Sequence, residues 1–402
     1  MHGTFVFERA RAIAKLTPVR VIAPMSWIRS GHRNPFKRMR QSRGYEERDG
    51  LRIWHPLFVY IPKILKPLDG LAMFLSILPT VLKLQRAERA DLLDAHFVFP
   101  EGVAAALLKK LLHLPLVITL RGKLPLIARH PWRLRLAVWA LRQADQVIAV
   151  ATPLAALAVE LGVQPERMHV IPNGIDARRF EMIPRHEARD RLGWPRGGRL
   201  IVAVGHLSPL KRFHLIIDAL PCLPADVRLV IVGGPGPDRD VGAELTRQIA
   251  RLNLDARCRL AGPLSPAEVA LAVNAADVFV LASETEGSPN ALMEALAAGT
   301  PAVASRVGEV ERFVQEGVNG SLFDAGEGHL LAEKIEAALA RDWDREVIRG
   351  SVVSRDWDCV AQEVLEVFCL AVNVEEPASQ SKLPRLRQGT EPSRSRVYKS
   401  SK

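Results

Sequence analysis

One stretch limits what this chain can fold into more than any other. Residues 277–305, DVFVLASETEGSPNALMEALAAGTPAVAS, read as an apolar strand (Asp277 to Ala282), a polar loop, a run of helix formers (Ala291 to Ala298) closed by Gly299, and a second short apolar strand (Pro301 to Ser305). A strand, loop, helix, strand unit of this kind belongs to a parallel sheet with the helix on its face. The loop and the helix N-terminus then sit at the carboxyl edge of the sheet, where backbone N–H groups without intrahelical partners favour an anion. Asn290 is placed to cap the helix, and Glu286 in the loop and Glu294 near the end of the first turn can face one crevice. Such a site suits a molecule with phosphate at one end and hydroxyls at the other.

The same alternation runs through the rest of the chain. Before residue 172, strands are expected at Pro18–Pro24, Leu51–Pro56, Asp91–Val98, Leu116–Leu120 and Gln146–Val150. Helices are expected at Gly3–Leu16, Leu71–Arg89, Gly102–Leu112, Pro131–Gln143 and Pro153–Leu161, and the strongly basic Ser30–Gly50 reads as a mobile loop. A second alternation starts at Leu200, with strands there and at Val227, Arg257, Asp277 and Pro301, and with final helices at Glu327–Ala340 and Trp357–Val372. The fold class is α/β, with two doubly wound parallel-sheet domains. The expected boundaries are 1–172 for the N-terminal domain, 173–195 for a linker, 196–355 for the C-terminal domain, 356–373 for a last helix and 374–402 for a disordered basic tail.

Charge separates the two halves. Lys+Arg against Asp+Glu is 33 versus 16 for residues 1–200 (+17), 15 versus 25 for 201–373 (−10) and 7 versus 3 for 374–402 (+4), summing to +11. The first half therefore faces something anionic, and without a homeodomain, zinc-finger or RNA-binding signature a membrane surface is favoured over nucleic acid. The apolar run Gly70–Leu82 is too short to span a bilayer and reads as a core or interfacial helix, and Trp132 and Trp139 on a basic helix read as packing residues before interfacial anchors. Cys222, Cys258, Cys359 and Cys369 have neither paired nor metal-ligand spacing, so they read as packing residues in a reducing compartment.

Five ordered motifs carry a resemblance to a known family. They are IPNGID (171–176) with Arg179-Phe180 after it, VGHLSPLK (204–211), VIVGGPGP (230–237), the segment from Gly262 to Ser283, and EGSPNALMEALAAGTPAVAS (286–305). The chain resembles the family-4 glycosyltransferases, which have two facing Rossmann-like domains (the GT-B fold) and transfer a sugar with retention of configuration and without a metal. In the first half, DAHFVFPEG (94–102), ITLRG (118–122) and IAVATPL (148–154) look like exopolysaccharide and teichuronic-acid-type members.

The resemblance implies roles residue by residue. Glu286 would bind hydroxyls of the donor sugar, Glu294 would accept from the ribose hydroxyls, and Lys211 would neutralise the departing diphosphate, helped by N–H groups from Ser288, Pro289, Asn290 and Ala291. Gly205, His206, Arg212 and Gly234 would complete the donor side. Gly3, His96, Arg121 and Gly122 would lie on the acceptor side, although a core role for His96, a turn role for Gly122 and a surface ion pair for Arg121 stand open beside that reading. Asn173 and Asp176 read as hinge and capping residues. No metal and no cofactor are implied, the nucleotide-sugar being a co-substrate.

Two departures from the family pattern stand out. His206 occupies a position where arginine is usual, which shifts diphosphate binding towards Lys211 and Arg212. The chain also begins where the family has already passed its first strand and glycine-rich loop, so the N-terminal sheet is expected to lack that strand, and an upstream extension of roughly 15 to 25 residues would supply it. The expected activity is transfer of a sugar from a nucleotide-diphosphate donor to a lipid-linked or polysaccharide acceptor, in the cytoplasm at the inner membrane surface. The competing readings are an epimerase or small-glycoside synthase of the same fold, or a sugar-nucleotide-binding protein without turnover.

Overall fold

The computed structural model describes residues 4–26, 45–59, 66–122, 124–236 and 239–373. Gly3, the expected tail and most of the expected basic loop lie outside the described residues. In the N-terminal half, helix Thr4–Ile13 leads to β1 (Arg20–Ile22), β2 (Met25–Ser26), β3 (Tyr45–Arg48), β4 (Leu51–Trp54) and β5 (Leu57–Phe58). Helix Asp69–Ala87, β6 (Leu93–His96), helix Val103–Leu112, β7 (Leu116–Leu120), helix Pro131–Gln143, β8 (Gln146–Ala149), helix Thr152–Glu160 and β9 (Met168–Val170) follow. Strands β6-β7-β8-β9 form a parallel sheet, β1-β4-β3 a mixed one in which β1 runs parallel and β3 antiparallel to β4, and β2-β5 a parallel two-stranded pair. Among the described residues β1 and β6 are not joined by ladder hydrogen bonds, so the strands of this half do not make one continuous sheet.

The second half is more regular. Strands β10 (Arg199–Val204), β11 (Val227–Val232), β12 (Cys258–Gly262), β13 (Val278–Leu281), β14 (Ala302–Ser305) and β15 (Gly320–Phe323) form a parallel sheet in the order β12-β11-β10-β13-β14-β15. β10 and β13 lie adjacent at the centre although two strands separate them in sequence, so the order reverses there. A doubly wound sheet opens its ligand crevice at the carboxyl ends of the strands flanking that reversal. Both strands are buried along nearly their whole length, which is why they read as continuous apolar runs.

The structure corrects several expectations. The described end of the basic loop, Tyr45–Gly50, is part of a hairpin: β3 pairs antiparallel with β4 across Asp49 and Gly50, both at positive φ (48° and 79°). Asp-Gly is a strong hairpin turn signal that the density of charge around it obscured. The expected linker contains helix Arg185–Leu192, whose Ala188 and the following Trp194 belong to a C-terminal-domain core. Arg189, buried, fastens it by donating to the carbonyls of Ala275, Arg196 and Gly198 and pairing with Asp277. The helix hides in sequence because its surface is almost entirely charged. Of the cysteines, Cys258 is buried, with its thiol pushed up to about 12 by desolvation, whereas Cys222 is exposed.

The final helix, Trp357–Val372, returns to the first domain. Trp357, Val360, Ala361 and Val364 pack with Ala12, Ile13, Val117 and Ile148. The chain therefore crosses between domains twice, near Gly174 and near Asp356, and the crossings touch: Ile175 donates its N–H to the Arg355 carbonyl at 3.0 Å, and a Cβ on Gly174 would lie 2.8 Å from the Asp356 carbonyl.

Candidate active site

The carboxyl ends of β10, β11 and β13 bring the sequence-derived donor residues together. Past β10 the chain turns at Gly205, and the stem of Lys211 lies so close that a Cβ there would be 3.1 Å from its Cε. Gly233, after β11, packs on this turn; a Cβ there would fall 1.8 Å from the Gly205 carbonyl oxygen, so only glycine fits. Gly234 accepts the Leu207 N–H at 2.9 Å. Arg212, in the left-handed region (φ 48°), donates to the Ala325 carbonyl. His206 is exposed and its side chain rests against Gly236.

From β13 comes the loop carrying Glu286. Its Oε1 accepts from Lys211 Nζ and, at 2.7 Å, from the Ser283 hydroxyl, and both partners of the ion pair are largely buried. Gly308 (φ 58°) supports the loop from below, since a Cβ there would lie 2.1 Å from the Glu286 carbonyl oxygen. A charge-neutral pair between turn and loop is a group that an incoming anion can reorganise: phosphate drawn to Lys211 frees the carboxylate to accept from hydroxyls.

The helix after this loop runs Asn290–Ala297, and here the capping expectation fails. Pro289 holds the cap position with no side-chain bond, and the Asn290 side chain instead accepts from Asn173 Nδ2 at 3.0 Å. Pro289 has no N–H, and that of Asn290 is donated to the Ser288 carbonyl. Of the four residues expected to supply N–H donors, Ser288 and Ala291 are thus the ones whose N–H groups are left for a ligand. Glu294, one turn into the helix, lies within the electrostatic reach of Arg179. Burial pushes its carboxyl up to about 8, and Arg179 opposes the shift without cancelling it. Arg179 pairs in turn with Glu8 at 3.1 Å and Asp176 at 3.2 Å. Sequence reasoning missed Glu8 and assigned Arg179 only to a motif; a lone Glu on an N-terminal helix gives no signal of a partner 171 residues away.

On the N-terminal side, Arg121 and His96 are both held. Arg121 Nε donates to His96 Nδ1 at 3.1 Å and its Nη1 donates to Asn173 Oδ1 at 2.9 Å. His96 Nε2 faces Asp94 at 3.3 Å, and Asp94 also pairs with the buried Arg9 at 3.2 Å. The open reading of Arg121 as a surface ion pair is replaced by this part-buried network. Burial lowers the His96 pKa to about 4 against the pull of Asp94, and it lowers Arg121 to about 9, aided by Arg9. Burial alone would raise Asp94, but Arg9, His96 and Arg121 hold it below the usual carboxylate range. At neutral pH His96 is uncharged; accepting at Nδ1, it carries its proton on Nε2, towards Asp94. Gly122 is exposed at φ 89° with nothing within 4 Å of a Cβ, and Gly3 lies outside the described residues.

Asn173 joins the two sides. Its N–H donates to Ser288 Oγ at 3.3 Å, its Oδ1 accepts from Arg121 and its Nδ2 donates to Asn290. A second cross-domain contact is made by Glu309, nearly fully buried, which accepts the N–H of Thr152 at the start of helix Thr152–Glu160. Neither clasp was visible in the sequence, beyond the hinge reading of Asn173.

With this geometry in view, comparison with known proteins is decisive. The Glycosyltransferase Family 4 description matches residues 3–179 and the Glycosyl transferases group 1 description matches residues 184–349. Each half of the chain therefore matches a glycosyltransferase family model of its own. It is 31% identical over 252 residues to a D-inositol 3-phosphate glycosyltransferase of Acidothermus cellulolyticus, covering 60% of this chain and 56% of that one, and 32% identical over 199 residues to the enzyme of that description from Mycobacterium bovis, covering 49% and 41%. The chain thus spans a little over half the length of the first of these relatives and less of the second. Among solved structures, Anabaena HepE in complex with UDP and glucose aligns at TM-score 0.71 with 25% identity, covering 92% of this chain and 96% of that one. A sucrose-phosphate synthase from Thermosynechococcus elongatus aligns at TM-score 0.74 with 21% identity, covering 92% of each chain, which speaks for the shared GT-B fold.

Proposed function

We propose that this glycosyltransferase moves a sugar from a nucleotide-diphosphate donor to an acceptor held by the N-terminal domain, retaining anomeric configuration and using no metal. The observation that carries the reading is the Lys211–Glu286 pair, set where the Gly205 turn meets the loop after β13. Departure of a nucleoside diphosphate needs positive charge and oriented donors where negative charge develops, and Lys211, Arg212 and the Ser288 and Ala291 N–H groups are the candidates. Glu286 takes the sugar hydroxyls, and Glu294, on the Arg179 side, takes the ribose. HepE was solved with UDP and glucose, which supports a UDP-linked sugar as the first donor to try. The test is product analysis with a panel of nucleotide-sugars: a glycoside appearing only with acceptor present supports transfer, whereas interconversion of donors without acceptor would make it an epimerase.

For the acceptor we retain a lipid-linked or polysaccharide chain in cell-surface polysaccharide assembly, at the cytoplasmic face of the inner membrane. The +17 balance of the first 200 residues supports it. A small phosphorylated polyol is the second reading, favoured by the relatives named for D-inositol 3-phosphate. Incubating the protein and donor with each acceptor class separately decides between them.

A further inference from the structure

Helix Asp69–Ala87 is buried on one side only. Met73, Ile77 and Val81 pack against Ala104 and Leu108 of helix Val103–Leu112, and its Gly70 sits so close to Val103 that a Cβ would lie 2.5 Å from Cγ1. The opposite side is apolar and exposed: Leu71 is 46% and Leu75 58% accessible, and at the same four-residue spacing Pro79 and Lys83 are also exposed. Leu68, just before the helix, is exposed as well, and its turn touches helix Pro131–Gln143, which presents Trp132 at 66%. Because helix Asp69–Ala87 runs into β6, and helix Pro131–Gln143 into β8, through antiparallel returns, the first turns of both lie at the carboxyl edge of the sheet. That is the edge from which Arg121 leaves β7, so the patch borders the acceptor side of the cleft.

Its electrostatics narrow the partner. From Gly102 to Ala144 the sequence has no acidic residue, and Arg129 and Arg135 are exposed, the Arg135 guanidinium lying 5.0 Å from the Trp132 ring centroid. Lys83 and Arg86 continue the basic rim along the first helix. A second copy of the chain would set these like charges against each other, at a cost that the few exposed leucines do not offset. An anionic bilayer offers both what the leucines and tryptophan require and what the arginines require.

We propose that Leu71 and Leu75, with Trp132, form a membrane-docking face for anionic lipid that places the N-terminal mouth of the cleft against the bilayer. The proposal rests on the membrane-peripheral reading above and gives it a location. The test is flotation of the full chain with vesicles of phosphatidylcholine alone or with added phosphatidylglycerol, comparing wild type with Leu71→Ser/Leu75→Ser, Trp132→Ser and Arg129→Glu/Arg135→Glu. Wild type should float with the anionic vesicles, and the apolar variants should lose at least about tenfold in partitioning with unchanged thermal midpoint and unchanged stabilisation by UDP. The charge variant should lose the preference for phosphatidylglycerol. If wild type floats and the variants float equally well, this face is not the docking site although the membrane reading stands. If wild type floats with neither vesicle, both fail. A patch that instead holds two copies together would reveal itself as a halved mass of the variants in solution with flotation unaltered, which also overturns the proposal.

Discussion

Lys211 and Glu286 neutralise each other across the floor of the crevice, 75 positions apart in sequence and joined through one carboxylate oxygen that also accepts from Ser283. Each is therefore the other's counter-ion as well as a candidate ligand for the donor. Lys211→Ala strands a largely buried carboxylate, and Glu286→Gln strands a part-buried ammonium. Either change should lower kcat by about 10²-fold or more. Thermal melts should show a loss of about 1–3 kcal/mol for each single variant and a smaller loss for Lys211→Met/Glu286→Gln than the sum, because the double change leaves no orphaned charge. Unchanged turnover in both single variants would remove them from the chemistry.

Glu294 gives a pH dependence with a definite sign. Its folded carboxyl is raised from 4.5 to about 8, chiefly by burial, so between those values the folded state holds a proton that the unfolded state has released. Stability from this group is present below about 4.5 and is lost as pH rises through about 8. The stability difference between wild type and Glu294→Gln should fall over that window. UDP affinity should rise over the same window if the ionised carboxylate accepts from ribose, and titration calorimetry at pH 6 and pH 8.5 checks it. Glu294→Gln should flatten the dependence.

His96 behaves in the opposite sense. Its pKa is lowered from 6.5 to about 4, first by burial, so between those values the unfolded state binds the proton and the folded state does not. Stability from this group is full above about 6.5 and declines as pH falls towards about 4. The His96 ring resonances in a proton NMR titration should not move between pH 8 and pH 5.5. A midpoint near 6.5 would mean that the Arg121 and Asp94 bonds are not formed in solution.

Asn173→Asp separates the two bonds of the hinge side chain. Aspartate keeps an acceptor for Arg121 Nη1 but loses the Nδ2 donor to Asn290, and places a carboxylate against the Asn290 oxygen. The N-terminal network should persist while the link to the donor helix opens. Expected is a fall in kcat of roughly tenfold with KM for the acceptor little changed, and a wider particle by small-angle scattering. Equal kinetics in wild type and variant would show that the clasp has no part in turnover.

Much of this was legible in sequence because the second domain's strands are buried on both faces. β11 starts at Val227 as expected, and β7 of the first domain, buried throughout, has the expected bounds, since uninterrupted Val/Ile/Leu runs leave little freedom in placement. What escaped notice was held by distant polar contacts. Helix Arg185–Leu192 docks through one buried arginine, and Gly320–Phe323 is a four-residue edge strand whose burial comes from the helix laid over it. Of the donor residues, Lys211 and Glu286 converge as expected. The four-residue N–H cradle was too generous, because a proline and a backbone turn remove two of its members. Asn290 was expected at the helix cap, a local role, whereas its actual partner Asn173 lies 117 positions away.

The paired crossings near Gly174 and Asp356 make the connection between the halves a two-ply strap. A single ply would let one half twist as well as bend relative to the other. Two plies, fastened by the Ile175 N–H to Arg355 carbonyl bond and by Arg355 donating to the Pro172 carbonyl at 2.8 Å, resist twist and leave bending about the line through both. The same strap means that the first half is not a contiguous piece of gene: residues 1–172 expressed alone would lack the helix that completes their core, so dissection of this protein requires the last helix to be supplied back to the first domain.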